Sequence, residues 1–156
     1  RTLPGFIGDI SYAQSNRERY EGFCQALADA GKKVDSSLCL TTPLGIDTYR
    51  EEIDTFLSSL SRMPDAFVCA SDYVACILMQ LLEKRGLRVP EDVAVSGFDN
   101  NTEDLLAEHL TTVQVFNEEL GARLALQILY RIKYPNTPHE ITYLGTNVLY
   151  RDSTGD

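Results

Sequence analysis

The sequence is short of positive charge. Of its 156 residues, 14 are lysine or arginine and 23 are aspartate or glutamate, which gives a formal net charge of -9. A protein that binds DNA directly neutralises backbone phosphates with a basic patch or stripe. The sequence offers no such stripe, so we do not expect these residues to contact DNA themselves.

Long apolar runs and targeting signals are also lacking. No run approaches the roughly 18 apolar residues of a membrane span, and no signal peptide is visible. The 44% hydrophobic and 24% charged residues are typical of one globular domain, and no membrane partner is expected. The first residue is Arg1 and not Met, so we expect the chain to be part of a longer protein.

Cysteine and histidine are too few and too scattered for a disulfide framework or a metal site. No C-x-x-C spacing occurs, which favours free thiols in a reducing compartment and therefore a cytoplasmic protein. The two histidines, His109 and His139, lie far from any cysteine pair, so no metal is expected. The cysteines are Cys24, Cys39, Cys69 and Cys76.

The phosphate-binding and catalytic motifs of common α/β enzymes are missing as well. The sequence contains no G-x-G-x-x-G, no P-loop and no nucleophile elbow, so we expect neither a cofactor nor an enzyme. A receiver-type phosphoacceptor aspartate is also disfavoured. The acidic residues that end predicted strands lie on separate strands, and no lysine follows in the expected late position.

The most informative stretch runs from Met63 to Asn100. The apolar run 66–70 is typical of a strand buried in a parallel sheet, and 93–97 is a second run of strand length. Between them we predict a helix from Asp72 that stops at Gly86. The right-handed crossover rule makes the two strands parallel, so the residues that follow them lie at the edge where open α/β folds bind ligands.

The rest of the chain continues this alternation, which predicts an α/β fold with a mostly parallel sheet flanked by helices. Further strands are predicted at 3–7, 38–40 and 111–116, and an extended segment at 141–150. Helices are predicted from a Ser15–Glu18 capping box to Gly31, from Asp47 or Thr48 to before Pro64, and from a capping Asn117 to Lys133. A polar turn is expected at 100–104 and a short irregular or helical piece at 105–110.

Polar residues at the predicted sheet edge are candidates for ligand binding. The guanidinium of Arg19 can grip a pair of sugar hydroxyls or an anion, although it can equally pair with an acidic side chain on the surface. Asp99 can accept hydrogen bonds from vicinal hydroxyls, or it can satisfy backbone N–H groups of the turn that follows it. We expect Asp72 to cap its helix, which leaves Ser71 beside it aimed at the ligand crevice.

The predicted helix from Asp72 carries more apolar surface than the roughly 100° stripe that one sheet face requires. Deep burial within the monomer is one explanation, and a subunit interface is the other. We favour the interface.

Five segments, in order along nearly the whole chain, carry a resemblance to a known family. They are similar to the R-x-x-G-F, P-D-A…N-D, V-P-x-D…G-F-D, L-T-T-V and E-L-G signatures of the lactose-repressor (LacI/GalR) family of bacterial transcription regulators. The segments here are R-Y-E-G-F at 19–23, P-D-A-F-V-C-A-S-D at 64–72, G-L-R-V-P-E-D to G-F-D-N at 86–100, L-T-T-V at 110–113 and E-L-G at 119–121.

The resemblance implies an effector-sensing domain of the periplasmic-binding-protein type, with two α/β lobes around a crevice. Residues 1–116 then form the C-terminal lobe, 117–140 a helix and connector that belong to the N-terminal lobe in intact relatives, and 141–156 a terminal strand and tail. The helix-turn-helix that binds operator DNA, the hinge helix and most of the N-terminal lobe would lie outside this chain.

The resemblance also implies site residues. Arg19 and Asp99 match effector-contacting positions, Ser15 matches a pocket position, and Ser71 stands where relatives often have Asn. Val115 and Phe116 replace the usual Gln-Pro, and Glu108 and His109 replace a Pro-rich segment, so the identity of the effector does not transfer. The dimer contacts implied by the family are Ile77, Leu78, Leu81, Leu105 and Leu106.

These observations lead to one main hypothesis and two alternatives. The main one is a cytoplasmic, homodimeric transcription regulator whose operator affinity changes when a sugar or nucleoside-like effector closes the crevice. A solute-binding protein of a sugar transporter shares the fold and is the first alternative. An α/β enzyme is the second, and it would have to lose turnover when Asp99 is removed.

Overall fold

Helices and strands alternate in a computed structural model of the chain, which describes residues 1–45, 47–100 and 105–155, with the backbone alone for Leu105 and Ala107. The strands are Pro4–Ile7 (β1), Cys39–Leu40 (β2), Ala66–Cys69 (β3), Ala94–Ser96 (β4), Thr112–Gln114 (β5) and Asn147–Leu149 (β6). The helices are Gln14–Asp29 (α1), Tyr49–Ser59 (α2), Asp72–Lys84 (α3) and Asn117–Lys133 (α4). The predicted α/β alternation is confirmed.

In the described part of the chain, the main sheet has the order β2-β1-β3-β4, and all its neighbouring strands are parallel. Ala66 of β3 lies opposite Pro4 of β1 on one side and Ala94 of β4 on the other. The carboxyl ends of the strands therefore meet at one edge, as the crossover rule predicts. This parallel arrangement confirms the predicted fold class.

β5 and β6 form a small antiparallel pair beside β4. Two isolated parallel bridges, Ser96 with Thr111 and Asp99 with Gln114, connect this pair to the β4 side of the main sheet. Ser153, buried in the tail, accepts a hydrogen bond from Thr111 N at 2.8 Å and donates one to Val95 O at 2.6 Å. The tail is thereby tied to the core, whereas the predicted extended segment 141–150 forms a strand only at β6.

Helices cover both faces of the main sheet because successive side chains of β1 point to opposite sides. Phe6 packs with Phe23 and Leu27 of α1 on one face. Ile7 belongs to the larger cluster on the other face, which includes Ile53 of α2 and Leu78 of α3. The sheet is thus enclosed by α1 on one side and by α2 and α3 on the other.

α3 is buried deep in this larger cluster. Ile77, Leu78 and Leu81, predicted from the resemblance to contact a second subunit, are 7%, 0% and 2% exposed. The helix packs on β3 and β4, on α2 and on the 3-10 turn at 105–109, so these three residues are already buried within the chain. A subunit interface on this helix stays a prediction. Leu106 is half-buried against the same cluster, and the side chain of Leu105 lies outside the described residues. A homodimer remains a prediction.

Two predicted helix caps are wrong. α1 begins one residue before Ser15, its N-cap is Ala13, and no side chain caps it. Gln14, and not Ser15, makes the side-chain hydrogen bond with Glu18, at 3.2 Å. The N-cap of α4 is Phe116, so the predicted cap Asn117 is the first helical residue. Residues 101–104 of the predicted polar turn lie outside the described part.

α4 lies outside both clusters. None of its residues is buried in the described chain. Its first turn carries acidic residues and its last turn basic residues, which suits the helix dipole. Large apolar side chains project from much of its circumference: Leu120, Leu124, Leu126, Ile128, Leu129 and Ile132. Helices with apolar side chains on most sides are normally buried, and an exposed apolar surface of this kind marks an interaction site.

The close approach of α3 to β4 predicts the effect of a methyl group at Gly97. A Cβ there would lie 2.2 Å from Asp72 Oδ1 and 3.2 Å from Asp72 Cα. We expect Gly97→Ala to lower the free energy of unfolding by about 1 to 3 kcal/mol in urea titrations, the usual cost of overpacking.

The matched control is Gly22→Ala in α1. Outside the backbone of its own helix, a Cβ at Gly22 would meet none of the described atoms within 4 Å. This change should raise the free energy of unfolding by about 0.5 to 1 kcal/mol, since alanine is the better helix former. Equal effects of the two substitutions would contradict the packing.

Candidate ligand-binding site

Arg19 crosses the carboxyl edge of the sheet from α1. Its Nη1 donates to Ala70 O at 2.6 Å and to Asn16 Oδ1 at 3.3 Å, and its Nη2 lies 3.4 Å from Asp99 Oδ1. The guanidinium carbon also lies 3.7 Å from the ring centre of Phe98. Arg19 and Asp99, two of the four predicted effector residues, are therefore brought together from positions 80 residues apart.

The Arg19–Asp99 pair is only partly covered. The side chains are 20% and 43% exposed, so donor and acceptor atoms remain within reach of a small molecule. Burial raises the pKa of Asp99, Arg19 opposes this increase, and Asp72 adds to it. The Arg19 guanidinium therefore interacts electrostatically with two carboxylates, those of Asp99 and Asp72.

The backbone at Asp99 has a rare conformation. Asp99 has a φ of 110° and Asn100 a φ of 54°, both on the side of the Ramachandran plot that favours glycine. Asp99 N donates to Val113 O at 3.0 Å, and Asn100 N donates to Thr112 Oγ1 at 3.3 Å. β5 therefore holds the turn in a conformation that aims the Asp99 carboxylate at Arg19, and strained backbone of this kind is concentrated at binding sites.

Asp72 does not cap α3, which corrects our expectation. Its side chain is 2% exposed, its Oδ1 accepts a hydrogen bond from Thr112 Oγ1 at 2.6 Å, and its N–H donates to Phe98 O at 2.8 Å. The cap is Ser71, whose Oγ accepts from Val74 N at 3.3 Å. Ser71 stays half-buried at the edge, and its role in effector binding remains a prediction.

The loop after β1 depends on Asp9, which is absent from the predicted site. Its Oδ1 accepts hydrogen bonds from Ser11 N at 2.8 Å, Ser11 Oγ at 2.6 Å and Tyr12 N at 3.1 Å, and its Oδ2 accepts from Leu44 N at 3.3 Å. Burial acts to raise its pKa, but these hydrogen bonds outweigh burial and lower it. The signal in the sequence is an aspartate directly after a strand with a serine two residues on, a common turn pattern.

Ser15 lies exposed in the first turn of α1, one turn before Arg19. With Ser71 it completes the four predicted effector residues, all of which follow the carboxyl end of a strand. Among the described residues, no group of His, Cys, Asp or Glu side chains is arranged to hold a metal ion. In the same part of the chain, no helix is long and apolar enough to cross a bilayer.

Comparison with known proteins identifies the family. Residues 3–154 match the periplasmic binding protein-like domain. The chain belongs to this family, in the form found in regulators of the LacI/GalR family.

Its relatives include three regulators. HTH-type transcriptional regulator DegA of Bacillus subtilis strain 168 is 35% identical over 117 residues, which are 74% of this chain and 34% of the relative. CelR of Thermobifida fusca is 34% identical over 87% of this chain and 40% of its own length. The repressor PurR of Photobacterium profundum is 29% identical over 97% of this chain and 46% of its own length. The chain thus spans less than half the length of these relatives.

Solved structures agree with this assignment. A complex of the regulator CelR with cellobiose superposes with a TM-score of 0.86 and 29% identity, over 97% of this chain and 46% of that one. A LacI-family regulator from Sanguibacter keddieii DSM 10542 gives a TM-score of 0.84 and 26% identity, over 100% of this chain and 59% of that one.

The raised pKa of Asp99 predicts a pH-dependent stability. Because the native state holds the proton more tightly than the unfolded state, stability falls as the pH rises from about 3.9 through the raised native pKa. Asp99→Asn removes this cost and suits a positive φ. We therefore expect the variant to unfold at the same or a higher urea concentration than the original chain at pH 7.

The two proteins should converge at about pH 3, where most of the Asp99 population is protonated in both states. A variant that is less stable than the original at pH 7 but not at pH 3 would show that the attraction to Arg19 outweighs burial. That result would contradict the prediction.

Proposed function

We propose that the chain is the effector-sensing part of a cytoplasmic DNA-binding transcriptional regulator, and that it binds a sugar or nucleoside-like metabolite. The observation that carries the proposal is the half-exposed Arg19–Asp99 pair at the carboxyl edge of the sheet. The relatives are transcriptional regulators, and one of the similar structures holds cellobiose. These names support a carbohydrate, without fixing which one.

The charge of the site favours a neutral ligand with hydroxyl groups. Both terminal nitrogens of Arg19 already have oxygen partners, and its face lies on Phe98. A carboxylate only accepts hydrogen bonds, so Asp99 suits a pair of donating hydroxyls. A phosphate or carboxylate on the ligand would instead meet the negative charges of Asp99 and Asp72.

The remaining part of the proposal concerns the second lobe. We propose that residues 117–140 pack in an N-terminal lobe, that the ligand is held between the two lobes, and that operator DNA is bound by a domain outside this chain. Support comes from α4, which exposes its apolar face, and from the net charge of -9. A ligand can change operator affinity only to the extent that it binds one arrangement of the lobes better than the other.

The site makes a direct prediction for ligand binding. In the intact protein, thermal-shift screening against neutral sugars and nucleosides should find at least one compound that raises the melting temperature, because it binds only the native state. Asp99→Ala should weaken binding of that compound at least about 100-fold, since hydrogen bonds to charged groups contribute about 1.5 to 3 kcal/mol each and Asp99 is offered two hydroxyls.

The matched control is Asp29→Ala at the far end of α1, where the carboxylate accepts only a hydrogen bond from Gln25 among the bonds described. This variant should bind the compound like the original protein. A stabilising compound whose affinity is unaffected by Asp99→Ala would place the binding site elsewhere.

The exposed face of α4 predicts self-association of the chain on its own. Leu124 and Ile132 are 57% and 72% exposed, and without a covering lobe such a face favours contact between copies. We expect the isolated chain to sediment above monomer mass, and the double variant Leu124→Glu with Ile132→Glu to sediment as a monomer.

Gln127→Glu is the control, because it adds negative charge on the side of α4 that carries Arg123 and Arg131. It should leave the sedimentation unchanged. A monomeric chain before any substitution would contradict the prediction that this face needs a partner.

A further inference from the structure

Three tyrosines, here named the tyrosine rim, follow three adjacent strands at the carboxyl edge of the sheet. Tyr12 lies in the loop after β1, Tyr49 is the first residue of α2, and Tyr73 is the second residue of α3. Tyr12 and Tyr73 are 74% and 60% exposed. The rim is therefore an aromatic surface open to solvent on the edge that carries Arg19 and Asp99.

Tyr49 anchors the tyrosine rim to the core. Tyr49 is half-buried against the larger core cluster, and its ring meets that of Tyr73 at 90° with centroids 5.8 Å apart. Burial raises the pKa of Tyr49, and the charges of Asp9, Tyr12 and Tyr73 add to the increase. The Tyr12 backbone is held through its N–H by Asp9 Oδ1 at 3.1 Å.

Two short connections join the rim to the Arg19–Asp99 pair. On one, Asp9 binds Tyr12 N, Asn16 Nδ2 donates to Asp9 O at 2.9 Å, and Arg19 Nη1 donates to Asn16 Oδ1 at 3.3 Å. On the other, Ala70 O accepts from Arg19, and Tyr73 follows three residues later. Three residues span at most about 11 Å of extended chain. The segments that carry Tyr12 and Tyr73 are thus linked to the residues that hold the Arg19–Asp99 pair.

We propose that the tyrosine rim is a second subsite for a carbohydrate ring, so that the ligand is a disaccharide or another glycoside with two rings. The proposal rests on the proposed function and specifies its ligand. One ring binds through its hydroxyls at Asp99 and Arg19. The second lays its C–H face on Tyr73 and Tyr12, whose hydroxyls can donate to and accept from its own hydroxyl groups.

The chemistry of the rim favours a sugar over a purely apolar partner. Each exposed tyrosine presents an apolar ring with a polar end, and the rim lies on the same sheet edge as the charged Arg19–Asp99 pair. A pyranose has the same combination of an apolar face and a polar circumference. The other occupant to consider is a protein surface that closes over the edge, which would contact the rim whatever the ligand.

The test is isothermal titration of the intact protein with five disaccharides, namely cellobiose, maltose, lactose, sucrose and trehalose, and with their component monosaccharides. At least one disaccharide should bind at least tenfold more tightly than its components. Tyr73→Ala with Tyr12→Ala should remove this advantage and leave monosaccharide affinity within about twofold. Tyr73→Phe with Tyr12→Phe, which keeps both rings, should retain most of it.

Each outcome has a distinct meaning. If a disaccharide has no advantage over its components, or the alanine variant keeps the advantage, the subsite is overturned while the proposed sugar-sensing function stands. If the alanine variant weakens monosaccharides and disaccharides equally, the rim is a closing contact and the subsite is again overturned. If no sugar binds while a nucleoside does, the carbohydrate class and the subsite fail together, and Asp99→Ala then tests whether the site itself is correct.

Discussion

The carboxyl edge of this sheet is organised around a buried carboxylate. Asp72 is 2% exposed, and it is reached by Thr112 Oγ1 from β5 and joined through its backbone to Phe98 after β4. A buried charge is costly unless it is paired and hydrogen-bonded, so these contacts cannot be lost one by one without a large penalty. Asp72 thereby fixes three elements relative to one another: the start of α3, the end of β4 and β5.

This constraint determines the geometry of the candidate ligand site beside it. Gly97 has to be glycine because Asp72 occupies the space of a Cβ, and the next turn of chain places Asp99 at a φ of 110°. The Asp72 charge also raises the pKa of Asp99 and stabilises the charged form of Arg19, although burial of that guanidinium lowers its pKa overall. The candidate site is therefore held in this geometry by contacts within the chain, and such preorganisation reduces the ordering cost of binding in general.

The sequence was sufficient for those features that depend on local pattern. The parallel strands and the four helices follow from apolar runs, periodicity and glycine stops, and the end of α4 at Lys133 agrees with the prediction. Arg19 and Asp99 were identified as candidates from their place at strand and helix ends and from the family resemblance, and the structure brings them together.

The predictions that failed share a physical cause. Whether Asp72 or Ser71 caps α3 depends on a threonine 40 residues further along, and the carboxylate of Asp9 is buried by a loop 35 residues away. The burial of Ile77, Leu78 and Leu81 depends on distant segments too, because an apolar stripe looks identical whether α2 and the turn at 105–109 or a second subunit covers it. Polar burial and the identity of a covering surface are decided by tertiary contacts, which local pattern does not contain.

The two exposed surfaces, the carboxyl edge of the sheet and the apolar face of α4, differ in chemistry. At the carboxyl edge, the partly exposed carboxylate of Asp99 can accept hydrogen bonds from outside the chain, whereas the exposed side chains of α4 need apolar cover. A hydroxylated ligand is suited only to the first surface, and a protein surface is suited to the second. If both are covered by one second lobe with a ligand between, ligand binding and lobe position become coupled through the same edge, which is the physical requirement for a ligand-controlled switch.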